Sequence, residues 1–172
     1  MTRDEFVREA KRAAQASAAT SGFPAGITVA QAALESNWGE SGLSRTAQNY
    51  FGIKAHGRFA SVTMRTGENE GERLHLCAAQ FASYASMEEC FRDRDDLISR
   101  LKAYAEAREC GNDPKAFIRA VARHWATDPH YAEKVLRIYE DWNMAEWNLA
   151  ELESGRAAVG SAKAPAKTSE AV

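Results

Sequence analysis

Helix starts are written into this chain five times, and one run of different periodicity interrupts them. Thr2 with Glu5, Thr28 with Gln31 and Ser86 with Glu89 have capping-box spacing, in which a hydroxyl caps an N–H three residues on and the acid or amide reaches back. Asp113-Pro114 and Asp128-Pro129 set an N-cap acid before a proline, whose missing N–H is no loss at the first helical position. The stripe Phe6, Val7, Ala10, Ala13 and Ala14 predicts a first helix over about 3–19, stopped by "TSGFPAG". The second starts at the Thr28 box, carries Glu35 and ends at Gly39 and Gly42. "LSRTAQNYFGIKAHG" reads as a structured loop with one helical turn. A helix from Ser86 to about 107 buries Phe91, Leu97, Ile98 and Leu101 until "CGNDP" breaks it, and helices over about 114–125 and 129–152 follow. Between them, "FASVTMRT" and "RLHLCAAQFASY" flank the turn-like "GENEGE" and predict an antiparallel hairpin or three-stranded lobe over about 57–84. The expected class is mainly α, an α+β domain with a small β-lobe.

The 172 residues suit one domain, expected over 1–153, with a tail over 154–172 whose small polar residues bury too little apolar area to offset ordering entropy. A net charge of −2 gives no basic field for nucleic acid, and no apolar run is long enough for membrane insertion. Cys77, Cys90 and Cys110 are odd in number and far apart, and the four histidines lack ligand spacing, so neither a disulfide framework, a metal nor another cofactor is expected. The charged N-terminus lacks the apolar core of a signal peptide, so any export is expected to use another route.

Chemistry concentrates in "ALESNWGES". On a helix, Glu35 has Gln31, Ala32, Trp38 and Gly39 at three and four residues, beside the apolar Ala30, Ala33 and Leu34. Desolvation against Leu34 and Trp38, with the negative helix end nearby, raises the carboxyl pKa. A carboxyl kept protonated near neutral pH is what a general acid needs to protonate a poor leaving group, such as a sugar oxygen.

The longer string "ITVAQAALESNWGESGLSRTAQNYFGIKA" resembles the catalytic segment of glycoside hydrolase family 73, the bacterial N-acetylglucosaminidases that cut peptidoglycan, including the flagellum-associated muramidase domain. "TGENEG", "QFASYASMEECFRD" and "WATDPHYAEKVL" are similar to further family segments, extending the likeness over roughly 27–138. The resemblance implies a lysozyme-like helical fold with the β-lobe across a cleft, and peptidoglycan glycan strands as substrate; with no signal peptide read at the N-terminus, it also implies synthesis in the bacterial cytoplasm and action in the periplasm or wall after release by a holin or secretion machine. It makes Glu35 the proton donor and Glu68, at the family's T-x-E position, the second carboxylate, with Glu70 and Glu72 close by. Tyr131 of "DPHY" would orient the sugar's acetamido group or a water. Asn37, Trp38, Asn49, Tyr50 and Trp125, the last standing where the family more often has tyrosine, are the expected substrate-binding residues, with packing as the alternative for each aromatic.

Cleaving a β-1,4 glycosidic bond needs a proton for the leaving oxygen and a partner for the oxocarbenium-like carbon. Glu35 supplies the first; Glu68 acting on water, or the substrate's own acetamido oxygen, supplies the second. A lytic transglycosylase also uses a helix-borne glutamate before serine, but "NYFGIK" stands here where that group has a "GLMQ"-type loop. A non-catalytic wall-binding module would have lost the acid, which is present.

Overall fold

Local signals and long-range packing divide the work of setting the helix ends. In the computed structural model, which describes residues 1–70, 73–110 and 113–148, with backbone alone at 66–70, 73–77 and 148, α1 spans Arg3–Ser21. Thr2 and Glu5 close the expected capping box, and Gly22 ends the helix in the left-handed conformation that glycine adopts without strain. The next start departs from expectation. α2 is Ala25–Ser36 with Pro24 at the N-cap, so Thr28 lies inside it, donating its hydroxyl to the Pro24 carbonyl, and Gln31 turns into the core. This helix is buried on nearly every face, and packing against α1 and the last helix fixes its start ahead of the Thr28 box. Gly26 lets the last helix and the segment after it come close: a Cβ there would lie 2.8 Å from the Tyr139 ring and 2.4 Å from the Met144 carbonyl oxygen.

After α2, Asn37, Trp38 and Gly39 all take positive φ, and Gly39 donates its N–H to Ser36 Oγ at 2.8 Å. The expected single turn is α3, Gly42–Ala47, capped by Ser41. The β-lobe is two-stranded. β1 (Ala60–Glu70) pairs antiparallel with β2 (Arg73–Ser83) from Ala60 opposite Ser83 to Glu70 opposite Arg73, and on the other edge of β2 the segment 53–55 makes one antiparallel bridge, Lys54 to Phe81, with hydrogen bonds from Ala55 N–H to Gln80 and from Ala82 N–H to Ile53. Asn49 ties the hairpin base to the body: its amide donates to the carbonyls of Ile53 and Ala82 and accepts from the N–H groups of Phe51 and Ile53. A second tie is Asp93, whose Oδ2 lies 2.8 Å from both His56 Nε2 and the Tyr84 hydroxyl.

The Ser86 cap opens α4, Met87–Arg100. It stops sooner than expected, because Leu101 is extended and 43% exposed rather than buried. A 3-10 turn (Lys102–Tyr104) leads to α5, Ala105–Glu109, and Asp113 then caps α6, Pro114–Trp125, as its local signals predict. At Asp128-Pro129 the carboxylate instead accepts from the His130 N–H, and α7 begins at Tyr131 and ends at Asp141. A 3-10 turn from Met144 follows, so the long helix expected to 152 is not formed over 142–148. α1 and α7 flank α2, and α4 lies along α1. Phe6, Ile27, Val29, Phe91, Ile98, Phe117, Val121 and Val135 fill the core between them. The expected tail, 154–172, lies outside the described residues.

Candidate active site

Three helix ends meet at one carboxyl group. Glu35 is the penultimate residue of α2, Trp125 the last of α6 and Tyr131 the first of α7. The short link between α6 and α7 is shaped by Asp128, whose carbonyl accepts from the Tyr131 N–H and whose Oδ1 accepts from that of His130. This turn brings Trp125 and Tyr131 to the same oxygen. Tyr131 donates its hydroxyl to Glu35 Oε1 at 2.6 Å, and Trp125 donates Nε1–H to that atom at 3.0 Å.

Oε2 has no hydrogen-bond partner among the described residues. Because Oε1 already accepts twice, a proton on Glu35 resides on Oε2, and a neutral Glu35 presents one O–H for transfer. Burial pushes the Glu35 pKa up, and the hydrogen bonds from Tyr131 and Trp125 offset part of that rise by favouring the carboxylate. The elevation expected from the sequence is present. The groups hydrogen-bonded to the carboxyl, though, are Trp125 and Tyr131.

Trp38 packs against Phe6 and Trp142, with ring centroids 6.0 and 5.1 Å away and the Arg3 guanidinium over its face. Tyr131 is only 5% exposed and its hydroxyl also accepts from Gln31 Nε2 at 3.0 Å, so it holds the acid and is screened from solvent. Burial and the adjacent Glu35 raise its own pKa. Trp125 is half-buried, its ring edge-on to Phe51 and tilted on Tyr104.

Two of the remaining residues expected to bind substrate, Asn49 and Tyr50, take structural places. Asn49 is buried and its amide makes four backbone hydrogen bonds, which leaves it nothing to offer a sugar. Tyr50 is buried against Phe6 and Phe91, donates its hydroxyl to Gln48, and has its pKa pushed up to about 12 by burial; it is core, not cleft wall. Asn37 is exposed and ends α2 in the left-handed conformation. Glu68 lies on β1 opposite His75, but its side chain, like those of Glu70 and Glu72, is outside the described residues.

Sequence reasoning missed Gln31 as a working residue, and missed Arg94 altogether. Gln31 precedes Glu35 by one helical turn. Arg94 falls in step with Cys90, Phe91 and Ile98, so a charge on an apolar stripe was the signal available. Among the described residues no group of three or more His, Cys, Asp and Glu could hold a metal ion, and no helix is long and apolar enough to cross a membrane.

Comparison with known proteins places the whole fold rather than single side chains. Residues 11–144 match the glucosaminidase family model, described as mannosyl-glycoprotein endo-beta-N-acetylglucosaminidase. The exo-glucosaminidase LytG of Bacillus subtilis is 36% identical over 127 residues, 71% of this chain and 45% of that protein. The peptidoglycan hydrolase FlgJ of Pseudomonas aeruginosa is 37% identical over 142 residues, 78% of this chain and 36% of that one. The chain thus spans less than half the length of either relative. The catalytic domain of the autolysin Auto from Listeria monocytogenes superposes with a TM-score of 0.76 at 29% identity, covering 84% of this chain and 86% of that domain. A family match that runs from the first helix to the last, on the backbone of a solved autolysin domain, makes this chain a member of the glucosaminidase family, glycoside hydrolase family 73.

Proposed function

We propose that this protein is an endo-β-N-acetylglucosaminidase that hydrolyses the β-1,4 bond between N-acetylglucosamine and N-acetylmuramic acid in peptidoglycan, with Glu35 as general acid. The observation that carries the assignment is the asymmetry of one carboxyl: Oε1 is held by Tyr131 and Trp125, while Oε2 is left to carry a proton. Family membership and the peptidoglycan-hydrolase relatives supply the substrate class.

In the reaction, neutral Glu35 gives its Oε2 proton to the glycosidic oxygen as the bond to the anomeric carbon breaks. The new carboxylate stays anchored through Oε1, where the phenol and indole protons stabilise its charge. The oxocarbenium-like carbon is then met by water activated by Glu68, with inversion, or by the substrate's own acetamido oxygen. In the first route the water's proton goes to Glu68 and exchange with solvent resets both carboxyls; in the second, water opens the ring formed by the acetamido oxygen and gives its proton to the Glu35 carboxylate, so that in both the anomeric carbon gains a hydroxyl. Tyr131 and Trp125 belong to the acid itself in this scheme, as the groups that orient it.

Mass spectrometry of the fragments released from purified peptidoglycan tests the reading. Wild type is expected to release fragments with reducing-end N-acetylglucosamine from within long strands, and Glu35→Gln to release almost none. Anhydro-muramic ends would make the protein a lytic transglycosylase, stepwise release from strand ends would make it an exo-enzyme, and binding without release would make it a wall-binding module. Full activity in Glu35→Gln would overturn the acid assignment.

A further inference from the structure

A cation is sealed into the helical core behind Glu35. Arg94 is fully buried, its guanidinium carbon 5.8 and 5.5 Å from the ring centroids of Phe51 and Phe117. Its Nη1 donates to Asp95 Oδ1 at 2.7 Å and to Thr28 Oγ1 at 3.1 Å, while Nε and Nη2 both donate to Gln31 Oε1, at 3.2 and 2.6 Å. Asp95 Oδ2 accepts from Ser17 at 2.5 Å and Ser21 at 2.8 Å. Gln31, also fully buried, donates to the Tyr131 hydroxyl, which donates to Glu35. The connected line runs from α1 through α4 and α2 to α7 and ends on the acid.

Burying an ion pair is costly, and apolar side chains of the same volume often serve stability as well. Such side chains would not give direction. A guanidinium has donors only, so the Gln31 atom facing Arg94 must be its oxygen. The amide nitrogen then faces Tyr131, and since it too only donates, the phenol oxygen must accept. The phenol's single proton is thereby left for Glu35 Oε1.

We propose that Arg94 and Gln31 are positioning residues for the general acid: Arg94 fixes the orientation of the Gln31 amide, which commits the Tyr131 proton to Glu35 Oε1 and leaves Oε2 as the proton-bearing oxygen. The inference rests on Glu35 being the acid. Among the described residues, the charged and titratable groups linked to that carboxyl are Tyr131 on α7 and, further along the line, Arg94 and Asp95 on α4; Trp125 on α6 adds a neutral donor, with Tyr104 beyond its ring.

The test is a double-mutant cycle read by carbon-13 NMR titration of the Glu35 carboxyl, assigned by its loss in Glu35→Gln. Gln31→Glu keeps a partner for Arg94 but turns an acceptor toward Tyr131, drawing its proton away from Glu35. Tyr131→Phe removes that proton. In the otherwise native protein Tyr131→Phe should raise the Glu35 pKa by about one to two pH units, the worth of a hydrogen bond to a charged group. In the Gln31→Glu background it should add almost nothing, because Tyr131 has already turned. Equal shifts in both backgrounds would mean that residue 31 acts through charge alone, and would overturn the proposal. Arg94→Gln with Asp95→Asn removes both buried charges together and lets the Gln31 amide flip. If that variant folds, the Glu35 titration and the alkaline limb of kcat should move up together; an unshifted titration would remove Arg94 from the line. If it does not fold, the cycle decides alone. The titration does not depend on turnover, so a failed cycle and a failed acid assignment, shown by an active Glu35→Gln, are separate results.

Discussion

Glu35→Gln is expected to stabilise this protein at neutral pH while abolishing its activity. Glutamine keeps an oxygen at the Oε1 position, so the hydrogen bonds from Tyr131 and Trp125 survive, and its amide nitrogen replaces an oxygen with no partner among the described residues. What disappears is a buried carboxylate. Burial raises the Glu35 pKa more than the two hydrogen bonds lower it, so the folded protein binds the Glu35 proton more tightly than the unfolded chain does. The sign follows: wild-type stability from this group is complete below the ordinary carboxyl range and is lost as pH rises through the folded pKa. Each pH unit of elevation amounts to about 1.4 kcal/mol. In a domain of this size each kcal/mol is worth about 2–4 °C in Tm. Thermal unfolding of both proteins from pH 4 to pH 8 should therefore give curves that coincide at the acid end and separate as pH rises, with the variant above, reaching a constant gap once Glu35 is ionised. Over the same range the variant should lose about 100-fold or more in rate, the usual worth of a general acid. A gap that does not change with pH, or a variant less stable at pH 8, would refute burial as the cause of the raised pKa.

Three further changes separate orientation of the acid from support of the fold. Trp125→Phe keeps a ring against Phe51 and Tyr104 but removes one donor to Glu35 Oε1; the alkaline limb of the pH–rate profile should move up by about one pH unit, with a small change in Tm at pH 5. Asn49→Ala strips four hydrogen bonds from the hairpin base and leaves buried backbone groups unpaired, at a cost of about 3 kcal/mol or more in urea unfolding; a loss below about 1 kcal/mol would mean that the Lys54–Phe81 bridge holds the lobe without it. Gly26→Ala drives a methyl group into the Met144 carbonyl and the Tyr139 ring, and the overpacking should cost about 1–3 kcal/mol despite alanine's better helix propensity; a rise in Tm would show that the 144–148 turn moves aside freely.

The sequence reads best where a structural signal is local. Asp113 and Pro114 start a helix that runs to Trp125 as predicted, because cap and proline act within one turn. Thr28 and Gln31 have the spacing of a capping box and do not form one, because the core reaches back to Ala25 and needs both side chains inward. The same contrast governs the site. Matching motifs mix residues of different fate: in "ALES" the acid stands where three helix ends meet, whereas in "NYFGIK" the asparagine and tyrosine are consumed by the hairpin base and the core. Spacing cannot separate the two kinds of residue, since it says nothing of what each polar atom finally meets. Hydrogen-bond capacity does separate them. Asn49 has every donor and acceptor of its amide occupied by backbone, and Tyr131 and Gln31 are bonded on both sides. Glu35 alone in that connected set keeps an oxygen unbonded among the described residues, and its burial makes a proton there hard to lose. A protein that surrounds one carboxyl oxygen with two donors, and orients one of them from a buried cation, has restricted where that proton sits. Proton placement is what a general acid requires and a solvated surface glutamate does not.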